Sequence, residues 1–291
     1  MGRGPDGADV CVTILAGLSD GAARDRFAAE AAVARRVAPF CAARVLDAGL
    51  DGTDAFLVSE YVPGRSLLEM VAEQGVFDSP RLEALAIGTA TGLASVHQAG
   101  LVHGNFGPQY VILASGGPPC VVEFGITPPY GSATPSADML GWAQTVIFAA
   151  TGQPPSESAD LDVLPEVLRE PVQQCLYYGP SERPAARAIV QFLLGGGSLR
   201  AGVLAEGSRR AAQAAGWAGA QAEPARQDGY LTTGYRGLPP TSPRTTGPLP
   251  RTTGQAARPG YYAPVRDGPV SGRPPAVRRS QPQRHTAAMP P

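Results

Sequence analysis

The chain contains no lysine; all 24 of its basic residues are arginine. That absence excludes every mechanism that needs a side-chain ammonium, such as a Schiff base or a phosphate loop ending in Gly-Lys-Ser/Thr. Cysteine is scarce as well. Cys11, Cys41, Cys120 and Cys175 lie far apart, with no Cys-x-x-Cys and no His/Cys ligand spacing. A zinc site is therefore not expected, and a reduced, cytosolic setting is the default. Long hydrophobic runs are missing. The best, Met139 to Ala150, is interrupted by Gln144 and is too short to span a bilayer. No N-terminal stretch follows the charged-then-apolar pattern of a signal peptide. The expectation is a cytoplasmic protein with no membrane span.

What is present is unevenly distributed. The net charge of −1 hides an acidic front and a basic tail: residues 1–198 carry 11 Arg against 21 acids, and residues 199–291 carry 13 Arg against 4. Gly 36 and Pro 30 supply 66 of 291 residues, about twice the usual share, so part of the chain is not expected to pack. The composition changes near Gly195-Gly196-Gly197. Residues 196–221 read as an Ala/Gly-rich linker or one loose helix. Residues 222–291 read as a disordered Pro/Gly/Thr/Arg-rich tail, too poor in large apolar side chains to offset chain entropy. The tail repeats Pro243-Arg244-Thr245-Thr246-Gly247 as Pro250-Arg251-Thr252-Thr253-Gly254. Its arginines are singly spaced and lack a set of stacking aromatics, which argues against a nucleic-acid partner.

The front of the chain reads as strands first. Val10 to Leu15 is a β-branched run entered through the turn residues Gly4-Pro5-Asp6-Gly7. A helix is predicted from about Asp20 to Val37, with Ala23, Phe27, Ala31 and Ala34 on one stripe. Arg44–Gly49 and Phe56–Tyr61 form a strand pair around Asp51-Gly52. Helices follow at 66–74 and 80–98, the latter stopped by Gly100. Short strands are predicted at Val111–Leu113 and Val121–Glu123, then helices at about 137–150, 164–177 and 185–194. A small β lobe followed by a helical lobe, with a hinge near 62–64, is an α+β order.

These segments, in this order, resemble a bacterial Ser/Thr protein kinase domain of the actinobacterial kind. Arg26-Phe27-Ala28-Ala29-Glu30 resembles the regulatory helix that carries the family's glutamate. Leu57 to Gly64 resembles the hinge, and Val96 to His103 the approach to the catalytic loop. Glu123-Phe124-Gly125 stands where the metal-binding DFG is expected. Asp138 with Leu140-Gly141 resembles the start of the central helix, and Arg183-Pro184 the start of the last one. The resemblance implies a two-lobed kinase-like fold over residues 1–195, with a truncated β-rich N-lobe at 1–62 and a helical C-lobe at 65–195. The family's first two strands have no counterpart ahead of Val10, so they are expected to be absent or encoded upstream. The implied nucleotide cleft involves Thr13, Glu30, Glu60, Val62 and Glu123.

Departures from the family pattern fall on its chemistry. The catalytic loop HRDLKPxN is here His103-Gly104-Asn105-Phe106-Gly107-Pro108-Gln109-Tyr110. Asn105 occupies the base position, and an amide does not accept a hydroxyl proton at neutral pH. Gly107 replaces a lysine, Tyr110 replaces a metal-binding asparagine, and Thr13 replaces the strand lysine that would pair with Glu30. Glu123 is the one candidate metal ligand, with no second ligand visible. The resemblance implies an intact role at none of the catalytic positions; His103 reads as a packed histidine that holds the loop. Asp138 and Arg183 read as structural: Asp138 caps an apolar helix and binds the loop backbone, while Arg183 has lost its usual glutamate because only Ile126 to Ala137 separate Gly125 from Asp138. A triphosphate in the cleft would meet Glu30 and Glu123 with no protein cation nearby. The expected function is that of a catalytically impaired kinase-like protein without a cofactor, working through protein partners such as an active Ser/Thr kinase or a phosphothreonine-reading domain. The competing expectation is a weakly active or atypical kinase that uses ATP and Mg²⁺ through Glu123.

Overall fold

A computed structural model describes residues 1–5, 7–114, 116–125, 133–154, 160–196 and 202–214. The expectations for the tail at 222–291 lie outside these residues, as does most of the short segment between Gly125 and Asp138.

The N-terminal part is a four-stranded antiparallel sheet in the order β1-β2-β4-β3, built from β1 (Gly2–Arg3), β2 (Asp9–Leu15), β3 (Val45–Asp51) and β4 (Asp54–Glu60). No strand was expected ahead of Val10. In the structure Gly4-Pro5 and Gly7 belong to a reversal that returns β1 onto β2, with Gly4 N donating to Ala8 O at 2.8 Å and Gly7 N to Gly4 O at 2.9 Å. Gly7 takes a φ of 81°, the left-handed region where glycine carries no Cβ penalty.

Helix α1 (Gly21–Ala34) crosses this sheet. Asp20 caps it by accepting from Ala22 N and Ala23 N, and the stripe Ala23, Phe27, Ala31 and Ala34 is buried. The period of three to four residues puts that stripe on one face, and a cap of this kind typically contributes ~1 kcal/mol.

The remainder is helical around one central element. A small sheet, β5-β6-β7 (Gly64–Ser66, Val111–Ala114, Pro119–Val121), lies beside α2 (Leu67–Gln74) and α3 (Ser79–Gln98). Strand β5 was not foreseen, because Gly64-Arg65-Ser66 carries no apolar alternation. Ser66 and Glu69 close a reciprocal capping box at the start of α2. Helices α4 (Pro135–Thr151), α5 (Glu166–Tyr177), α6 (Ala186–Leu193) and α7 (Val203–Ala214) complete the fold.

Helix α3 is buried almost all round from Leu82 to Val96. Small residues make this possible. A Cβ on Gly88 would press on Pro119 and Ala211, and one on Gly92 on Cys41 O and Val121. Its polar side chains turn inward onto their own helix: Thr89 and Thr91 donate to Leu85 O and Ile87 O at 2.6 and 2.7 Å. Trp142 of α4, fully buried, donates through Nε1 to Ala86 O at 3.2 Å.

Two expectations change. Glu123 is not in a strand; β7 ends at Val121, and Glu123 has a φ of 61°. And of the two readings of 196–221, a linker or one loose helix, the structure has a helix, α7, but not a loose one: it packs on α3 and α6 with Val203, Leu204, Gly207 and Ala211 buried. The Ser208 hydroxyl hydrogen-bonds the buried Cys41 thiol, whose burial pushes it up to about 12. Among the described residues, no helix is long and apolar enough to cross a membrane.

Candidate functional site

A cavity of about 760 Å³ opens between the two parts. Its wall is supplied by β2 (Thr13, Leu15), the turn from Ala16 to Asp20, the first turns of α1 (Ala23, Arg26), the loop residues His103, Asn105 and Tyr110, and Glu123.

One side chain fixes the loop. Asp138, 1% exposed, points from the first turn of α4 back at residues 103–104. Its Oδ2 accepts from His103 N at 2.8 Å and lies 2.8 Å from His97 Nε2; its Oδ1 accepts from Gly104 N at 2.9 Å. The expected helix-capping role falls instead to Thr134, whose Oγ1 accepts from Ala137 N. Asp138 is thereby left entirely to the loop.

His103 is buried, with Nε2 3.1 Å from Val122 O and its ring edge-on to Phe106. The carbonyl can only accept, so Nε2 carries the proton. Burial holds this imidazole below its ordinary range, and the nearby Asp138 only partly opposes that shift.

Two substituted positions meet. Asn105 Nδ2 donates to the Tyr110 hydroxyl at 3.0 Å. The residue at the family's base position and the residue at its metal-ligand position are thus bonded to each other. The Tyr110 ring also lies 5.2 Å from the His103 ring.

Glu123 lines the same cavity, and burial pushes its carboxyl above the usual carboxylate range. The charged form is the one burial disfavours, so the contribution of Glu123 to stability is fully present below the unfolded pKa and is lost as pH rises through the raised folded pKa. Glu123→Gln removes that penalty. The variant is expected to melt above the parent at pH 7, with the gain vanishing as pH falls below the ordinary carboxylate range. Melting curves between pH 3.5 and 8 check this; equal melting temperatures throughout would refute it.

The other residues expected at the cleft are placed elsewhere. Glu60 is not in the cavity wall: at the end of β4, its Oε1 accepts from Arg44 N at 2.9 Å. Glu30 and Val62 also lie outside the wall. Arg183 donates from Nη1 to Ser136 O at 3.4 Å, joining the start of α4 to the turn before α6. Sequence reasoning missed Arg26, which stands one helical turn ahead of Glu30 and is one of the residues lining the cavity. The expectation that no protein cation is near the cleft is therefore corrected.

The donor set does not suit the paired divalent cations that kinase-type chemistry uses. Among the described residues no group of three His, Cys, Asp or Glu could hold a metal ion, and the second ligand position is a phenol already bonded to Asn105.

No protein-family profile matches the chain. It is similar to the probable serine/threonine-protein kinase PkwA of Thermomonospora curvata, 30% identical over 65% of this chain and 31% of the relative. It is likewise similar to the serine/threonine-protein kinase AfsK of Streptomyces coelicolor, 30% identical over 77% of this chain and 31% of the relative, and to serine/threonine-protein kinase C of Synechocystis, 29% identical over 50% and 35%. The chain thus spans about a third of the length of these curated relatives. A sheet-bearing N-terminal part followed by a helical part agrees with a kinase-like fold.

Proposed function

We propose that this chain is a catalytically impaired Ser/Thr-kinase-like protein that acts through protein contacts, as a regulated scaffold or as a substrate in kinase signalling. The observation that carries the reading is the hydrogen bond from Asn105 to Tyr110. Phosphoryl transfer depends on a carboxylate that positions the hydroxyl nucleophile and on cations that neutralise the transferring group. Here an amide and a phenol occupy those places and satisfy each other, and Gly107 and Thr13 supply no ammonium.

The expected outcome is no phosphate incorporation above blank with radiolabelled ATP, Mg²⁺ or Mn²⁺ and a basic protein substrate. Incorporation that disappears in Glu123→Ala would overturn the proposal. It would favour the second reading, an atypical kinase, whose support is the carboxyl group of Glu123 in the cavity wall.

The partner is inferred from the tail. The Arg-Thr-Thr-Gly repeats at 244–247 and 251–254 offer threonines beside arginine. Each phosphorylation adds about −1.5 to −2 charges, enough to offset the local positive charge and to engage an arginine-lined phosphothreonine reader. An active Ser/Thr kinase and such a reader are the proposed partners, in the cytoplasm.

A further inference from the structure

We propose that the outer edge of strand β2 is a self-association surface, on which a second copy of this chain lays its own β2 antiparallel to form one continuous sheet. This goes beyond the reading of impaired catalysis and does not depend on it.

The ladder fixes which backbone groups face outward. Glu60 N donates to Arg44 O at 2.9 Å, so Ser59 and Val45 form a non-hydrogen-bonded pair, and Ser59 turns its own N–H and C=O toward β2. Cys11 stands opposite Ser59, and Thr13 and Leu15 follow in the same phase opposite Leu57 and Ala55. Val10, Val12 and Ile14 therefore turn their N–H and C=O away from β4. A second bond agrees. Gly4 N donates to Ala8 O, which makes Arg3–Asp9 the non-hydrogen-bonded pair and Gly2–Val10 the bonded one. Strand β1 occupies this edge only at Asp9 and Val10. Beyond it, the N–H and C=O of Val12 and Ile14 have no backbone partner among the described residues.

The two edges of the sheet differ in kind. Strand β3 carries Asp47 and Asp51 and a bulge between Val45 and Asp47, devices that keep an edge from pairing with another chain. From Val10 to Leu15, β2 carries no charge, proline, glycine or bulge. Such an edge is a template for an added strand.

The register identifies the occupant, because this edge is complementary to itself. A two-fold axis at Thr13 sets Val12 against the partner's Ile14, and Ile14 against the partner's Val12. All of these are outward-facing residues, so each pair exchanges two hydrogen bonds and every open group on both copies is satisfied. Thr13 meets the partner's Thr13 in the non-hydrogen-bonded pair between them, a favourable cross-strand match with no like charges opposed. Val12 and Ile14 share a sheet face with their ladder neighbours Val58 and Phe56, and Ile14 is 37% exposed. In the paired sheet this apolar row runs on from Val58 and Val12 to the partner's Ile14 and the partner's Phe56.

The test is sedimentation velocity of the full chain from about 1 to 100 µM, with hydrogen exchange followed over the same range. A reversible dimer is expected, with the Val12 and Ile14 amides exchanging more slowly as it forms. Val12→Pro removes an outward N–H and none of the β2–β4 bonds; it is expected to weaken the dimer at least about tenfold, with an unchanged circular dichroism spectrum. Ile14→Lys, which puts a charge on the edge, is expected to do the same and serves if the proline variant does not fold. Thr13→Cys is expected to form a disulfide from position 13 of one copy to position 13 of the other, since Cα atoms of such a pair lie about 4.5 Å apart. The proposal is overturned if the chain stays monomeric, if both edge variants dimerise as the parent does, or if the cross-link forms at another position. It is equally overturned if the two amides are protected independently of concentration, which would mean that another part of the same chain covers the edge. A dimer that dissolves in about 0.5 M NaCl would also overturn it, because the acidic front and the basic tail would then be what holds it.

Discussion

Asp138→Ala is expected to cost about 3–5 kcal/mol of stability, a large part of what a domain of this size holds in reserve. Three donors converge on this one carboxylate: His103 N, Gly104 N and the His97 ring. The carboxylate itself is 1% exposed. The His103 N–H that the truncation orphans is buried and the Gly104 N–H part-buried, and each buried donor left unmade costs about 1–3 kcal/mol. Asp138→Asn is expected to lose less, since one oxygen remains to accept while the new amide hydrogens face a donor. Urea unfolding followed by tryptophan fluorescence measures both, because Trp142 lies one turn further along α4. A loss below about 1 kcal/mol for the alanine variant would contradict the bonding described.

Ending the chain after Gly196, before α7, is expected to remove cooperative unfolding or to leave the protein insoluble. Ending it after Ala214 is expected to preserve the fold. Val203 and Ala211 are 1% and 0% exposed, and Leu204 is 7% exposed. Burial of side chains of this kind is worth roughly 1–3 kcal/mol each. The face they cover includes Gly88, Thr91 and Val190 of α3 and α6, so close that a Cβ on Gly207 would press on Thr91 and Val190. Truncation therefore uncovers apolar surface along the central helix, a loss of about 5 kcal/mol by the same area argument. A scanning-calorimetry comparison of the two truncated chains decides it. A cooperative transition for the shorter chain, at the temperature of the longer one, would show that α7 is dispensable.

The contrast between these two features shows what the sequence made legible. The stripe Ala23, Phe27, Ala31, Ala34 announced α1 because apolar spacing and burial coincide there. Strands β2 and β4 were readable because their apolar runs, β-branched in β2, lie between turn residues. A helix near α7 was offered as one of two readings, but its packing was not legible, because its burial depends on small residues meeting the small residues of α3. Asp138 was recognisable by its place before an apolar helix, yet the cap proved to be Thr134, four residues earlier. The conformation of Glu123 left no trace in composition, since Glu is not a turn residue. Arg26 was hidden by its neighbour. Phe27 signalled the core, and nothing in a linear pattern says that the adjacent position, about 100° round the helix, lines the cleft.

The bond between Asn105 and Tyr110 makes these two positions epistatic. Reverting residue 105 alone to aspartate would set a carboxylate against a phenol that donates to it, tying up the restored group. Reverting residue 110 alone to asparagine would leave two amides facing each other. Each single exchange thus leaves the two side chains facing each other in a new pairing, and only the joint exchange removes both members of the present bond. Effects at contacting positions depart from additivity, so the effect of exchanging both residues is expected to differ from the sum of the two single exchanges.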